Sequence, residues 1–102
     1  MTPDDFRELA LALPDAEESE HQGHPDFRVG GKIFATLGPD GSWGMVKLTP
    51  EAQERCAADE PEAYEPLTGA WGRQGCTKVH LEFARKASVR KAMKIAWTKL
   101  TG

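Results

Sequence analysis

The chain has 102 residues, 39% of them hydrophobic and 28% charged, and carries a formal net charge of −3. That length suits one domain, residues 1–102, with one modest core. The composition is that of an ordinary soluble protein, and no apolar run approaches the ~20 residues that would span a bilayer. The N-terminal stretch MTPDDFRELA has acids where a signal peptide has bases, so a cytoplasmic location is expected. Its two cysteines, Cys56 and Cys76, are too few for a disulfide scaffold and are expected to remain free thiols.

Thr2 is placed to cap a helix, with Pro3 at its first position and Asp5 where a capping-box acid sits. Phe6, Leu9, Ala10 and Leu13 then recur at helical spacing, and Pro14 ends the element, predicting a helix over 3–13. Residues 15–25 are acidic and polar; they read as a loop with an edge strand near Glu17 to Gln22. Two short strands follow, 26–29 and 33–37, around Gly30-Gly31, a hairpin signal. A two-residue loop there puts Phe27 and Val29 on one face with Phe34. A three-residue loop through Lys32 puts them with Ile33, Ala35 and Leu37, the cleaner apolar face and the preferred register.

Gly38-Pro39-Asp40-Gly41 is a second turn. Along the next strand, 43–48, Val46 and Leu48 point one way and Trp43, Met45 and Lys47 the other. Thr49-Pro50 opens a short helix to about residue 58 by the cap-then-proline logic seen at Thr2. Residues 59–69, with two prolines, read as an irregular connection, and Trp71 to Gly75 as a compact loop. In the last strand, 76–81, Thr77, Val79 and Leu81 form the core face, with Cys76, Lys78 and His80 opposite. Ser88 is placed to cap a final helix in which Val89, Ala92, Met93, Ala96, Trp97 and Leu100 make one apolar stripe. Two striped helices and strands joined by short turns predict an α+β two-layer sandwich. Its sheet is antiparallel, both terminal helices cover one face, and the short helix is an insert between strands.

Charge is distributed unevenly. Residues 1–26 hold eight acids against Arg7, while residues 85–99 hold six bases and no acid. The plain reading is that the acidic first helix and the basic last helix are neighbours. Residues 66–81 also lack any acid.

Leu13-Pro14, GHPDFRVGGKIFA (23–35), VKLTP (46–50) and WGRQGCTKV (71–79) together resemble the MmcQ/YjbR family, in the family's order and over nearly the whole chain. The resemblance implies a CyaY-like, frataxin-type sandwich. It also implies a loose DNA-binding label, itself an inference from a proposed double-wing arrangement of hairpins, and it brings no catalytic residues.

In the preferred register the uncovered sheet face carries Arg28, Phe34, Trp43, Met45, Lys47, Lys78 and His80, with Trp71 and Arg73 beside it and Lys32 at the hairpin rim. Lysines and arginines neutralise phosphates and rings stack on bases, so Arg28, Lys32, Lys47, Trp71, Arg73 and Lys78 are the candidate residues for weak, non-specific DNA binding. Against this, the rings can simply cover the sheet with lysine stems lying over them. The alternative function is a frataxin-like metal-handling or protein-interaction domain using the acidic first helix. His21-x-x-His24 amid carboxylates is a common accident rather than a ligand set, and no metal or cofactor is expected. Cys76 lies near Arg73 and Lys78, which would lower a thiol pKa. His80, however, is about 13 Å along the strand from it, so no catalytic pair forms and no enzyme activity is expected.

Overall fold

The computed structural model describes residues 1–102. In chain order the elements are α1 (Pro3–Leu11), β1 (Glu17–His21), β2 (His24–Val29), β3 (Lys32–Leu37), β4 (Trp43–Lys47), α2 (Pro50–Asp59), β5 (Tyr64–Pro66), α3 (Gly69–Arg73), β6 (Cys76–His80) and α4 (Lys86–Thr101). The strands form one six-stranded sheet in the order β1-β2-β3-β4-β6-β5. Every neighbouring pair is antiparallel. The chain is thus the α+β sandwich that the stripes and turns imply. No helix is long and apolar enough to cross a membrane.

Helix α1 begins as the sequence reads it. Thr2 accepts a hydrogen bond from the Asp5 amide while the Asp5 carboxylate accepts from the Thr2 amide, a complete capping box. These bonds, joined by Lys86, hold the Asp5 carboxyl below its usual range. Phe6 and Ala10 are buried, while Leu9 and Leu13 pack half-buried at the edge of the core. Helix α4 lies beside α1 over the same sheet face, burying Val89, Ala92, Met93 and Ala96. The Trp97 indole N–H donates to the Pro14 carbonyl at 3.0 Å, tying the end of α4 to the end of α1. Thr49 caps α2, whose Ala52 joins the same core.

Four local expectations are corrected. The β2–β3 hairpin closes through two residues, Gly30 and Gly31, with φ of 59° and 77°, and Val29 pairs with Lys32. Adjacent left-handed residues suit the twist of a two-residue hairpin turn, and glycine adopts that region without a Cβ penalty. A bulge at Phe27/Arg28 then shifts the register, setting Arg28 against Ile33 but Phe27 against Ala35. One extra residue on β3 therefore sends both Phe34 and Ala35 to the core and leaves Ile33 on the uncovered face. Phe34, expected on the uncovered face, is 0% exposed.

The connection after α2 contains a strand, β5, that pairs with the outer edge of β6 and buries Tyr64. The stretch expected as a loop at Trp71 is mostly the short helix α3. Finally, Ser88 does not cap α4; Arg85 takes the cap position with no side-chain bond. The Ser88 hydroxyl instead donates to Glu60 and meets the Tyr64 hydroxyl at 2.6 Å. That network ties α2, β5 and α4 together. Burial raises the Tyr64 hydroxyl pKa to about 12, against a lowering pull from Ser88.

Candidate nucleic-acid interface

The side of the sheet away from α1 and α4 has no long helix. Side-chain alternation along the paired strands puts Asp26 and Arg28 of β2, Ile33 and Thr36 of β3, Met45 and Lys47 of β4, and Cys76 and Lys78 of β6 on it. Helix α3 stands at its margin, held by its connections rather than by its length. The Gln53 side-chain amide of α2 donates to the Gly72 carbonyl at 3.0 Å and the Cys76 carbonyl at 3.1 Å, fixing both ends of the α3–β6 junction. Gly75 has φ of 110°, and a Cβ there would lie 1.8 Å from the Leu48 carbonyl oxygen. The chain can pass this close to the end of β4 only without a side chain.

The six candidate residues are not equivalent. Lys47 and Lys78 point onto the uncovered face. The Lys47 ammonium lies 5.8 Å from the Trp71 ring centroid, and that of Lys78 lies 5.1 Å from the Trp43 centroid. Both distances lie within reach of a cation–π attraction. The Trp43 ring is packed down on Gly38, where a Cβ would come within 2.3 Å of it. Trp71 by contrast is 62% exposed, the most exposed large hydrophobic side chain of the molecule. Arg73 closes α3 beside it, exposed to solvent.

Arg28 is on this face but committed elsewhere. Its guanidinium donates to Asp26 through two bonds of 2.8 and 3.0 Å. Asp26 is fully buried and also accepts from the His21 ring at 2.6 Å. The Arg28 bonds, and secondly those of His21, hold the Asp26 carboxyl below its usual range despite burial, and Arg28 in turn is raised. Lys32 pairs with Val29, so it shares the helix-side face at the exposed hairpin tip and stands apart from Lys47 and Lys78. The structure therefore sets Lys47 over Trp71 and Lys78 over Trp43 on one face, with Arg73 exposed at the end of α3, Arg28 neutralised in place and Lys32 apart at the hairpin tip.

The Asp26 clasp is a part of this face that the candidate list omits. Its signal was in the sequence: Asp26 and Arg28 are two apart on a strand and so share a face. Glu65 lies cross-strand from Lys78, but its carboxylate accepts from His80 at 2.7 Å. That pairing depends on β5 and has no local signature.

The Cys76 thiol is pushed up by burial, against the weaker pull of Lys47 and Lys99, rather than lowered by Arg73 and Lys78. His21 is engaged with Asp26, and His24 donates to the Leu37 carbonyl at 2.8 Å, so both rings have structural partners. No group of three or more His, Cys, Asp and Glu side chains converges as an ion site would require.

The YjbR family model matches residues 11–99. Among solved structures, the chain is similar to the crystal structure of Deinococcus radiodurans protein DR2400, which has the family-model domain DUF419. The two share 19% identity at a TM-score of 0.80, over 98% of this chain and 78% of that one. At that identity the likeness speaks for the fold. No curated protein matches the chain.

Proposed function

This chain belongs to the YjbR family, and from that premise we propose that it is a DNA-binding module that uses the uncovered face of its sheet, binding weakly and with little sequence preference. One observation carries the reading. Lys47 and Lys78 sit over tryptophan rings instead of being paired with carboxylates, and Arg73 is exposed at the end of the short helix that carries Trp71. Cations left without acids are available to phosphates, and a phosphate contact releases counterions whatever the base sequence. Arg28 contributes shape more than charge, and Lys32, on the helix-side face of the hairpin tip, stands outside the patch. The acids of α1 are less available to a metal, because Arg7 bonds both Asp4 and Glu18, and Lys86 approaches Asp5 at 3.2 Å.

The test is fluorescence anisotropy with labelled duplex DNA across a salt series. With about three phosphate contacts, log affinity falls with log salt at a slope near −2.7, and dissociation constants lie at roughly 10⁻⁴–10⁻⁶ M at physiological salt. Arg73→Ala with Lys78→Ala flattens the slope by about two contacts' worth. Absence of binding at about 50 mM salt, where such contacts are strongest, overturns the proposal.

A further inference from the structure

Between α3 and the sheet lies a shallow depression of 310 Å³. Ile33, Met45, Leu67 and Cys76 line it together with Trp71, and Lys47 stands at its edge. Its volume is at the small end of the ~300–1,000 Å³ typical of ligand sites. Phosphates have no use for such a surface. A duplex presents phosphates and groove edges to a protein, and its base faces are stacked out of reach. Base faces become available only when a strand is unpaired, and they stack on exposed aromatic rings in a sequence-tolerant way.

We infer that the DNA taken by this face is single-stranded, with one unpaired base seated in the depression against Trp71 and its neighbouring phosphates on Lys47 and Arg73. This rests on the DNA-binding reading above and narrows it to one form of DNA. Three features meet at one place: an apolar floor, a tryptophan 62% exposed, and the Lys47 ammonium 5.8 Å from the ring centroid. Trp43 does not offer a second platform, because its ring is packed on Gly38 beneath Lys78. One strong stacking position flanked by charge gives a short binding footprint. Electrostatics alone predicts the opposite preference, since duplex DNA has the higher charge density and the steeper salt slope per contact. A preference for single strands would therefore report the bases and not the charge.

The experiment compares three labelled probes of equal length at one low salt concentration: oligothymidylate, a duplex, and a strand of abasic sites. Expected is oligothymidylate binding roughly tenfold tighter than the duplex, within the range for one base stacked on an aromatic ring, with the abasic strand losing that advantage. These arms use the unaltered protein, so they do not depend on a variant folding. Trp71→Ala then removes the preference for the single strand, while Trp71→Phe keeps it. Duplex bound as tightly as oligothymidylate overturns the inference and leaves the phosphate interface standing. So does an abasic strand bound as well as the intact one. Failure of all three probes to bind overturns both readings.

Discussion

On the helix side of the sheet, opposite charges meet. Lys86 at the start of α4 reaches Asp5 of α1, and Arg7 spans Asp4 and Glu18. On the uncovered side, Lys47 and Lys78 lie over aromatic rings, and the Asp26 and Glu65 carboxylates of the same face are engaged by Arg28, His21 and His80. The first arrangement pairs charges where the two helices meet over the core, while Arg90, Lys91 and Lys94 stay exposed on the outer side of α4. The second leaves charge and an indole surface facing solvent on a rigid sheet. Net charge conceals this difference: a chain of −3 overall still has one face whose cations are unspent.

The comparison is tested most severely where the two sides are joined. Gly75→Ala forces a Cβ into the Leu48 carbonyl and strains a backbone with φ of 110°. Overpacking and strain together should cost roughly 4 kcal/mol, seen as a lowered denaturation midpoint, with DNA binding lost as α3 is displaced. A stable, binding-competent Gly75→Ala protein would contradict the described junction.

Neighbouring residues of β6 separate the two sides. Val79 is 0% exposed on the helix side, and Val79→Ala should destabilise by on the order of 1–4 kcal/mol with binding kept under folding conditions. Lys78→Ala, one residue away, should change stability by less than about 0.5 kcal/mol while weakening binding. Chemical denaturation and anisotropy on both variants read this reversal.

The Asp26 clasp makes a pH-dependent prediction. Because its folded-state pKa is depressed, its stabilisation is fully present above the unfolded value of about 3.9 and is lost as pH falls through the lower folded value. Asp26→Asn should cost about 2 kcal/mol at neutral pH and remove that part of the acid dependence, measured by denaturation across a pH series. An unchanged acid limb would mean that the clasp contributes nothing.

The smallest expected effect is on the basic helix. Lys91→Gln with Lys94→Gln alters two exposed cations of α4 and should leave DNA affinity and salt slope nearly unchanged. A slope loss equal to that of the Arg73 and Lys78 pair would move the interface to the helix side.

The sequence carried the helix side well and the uncovered side partly. Period and caps exposed the α1 and α4 stripes, because a helix repeats its core contacts every turn. The bulge at Phe27/Arg28 was invisible, since one inserted residue leaves no periodic trace yet returns Ala35 and Leu37 to the core face after the two-residue turn has put Phe34 there. Strand β5 is three residues ending in Pro66 and depends on β6 for its pairing. At the interface, residue types indicated where cations lie but not which were already satisfied. Arg28 was legible from its spacing to Asp26; the engagement of Glu65 by His80, fifteen positions away, required the fold.

The most direct test is an NMR titration of the labelled protein with oligothymidylate at low salt, followed by a rise in salt. The proposed interface predicts amide and indole shifts concentrated at Lys47, Trp71, Arg73, Cys76 and Lys78 that revert as salt increases. Shifts confined to Arg90, Lys91 and Lys94 of α4, with Trp71 unmoved, would contradict it.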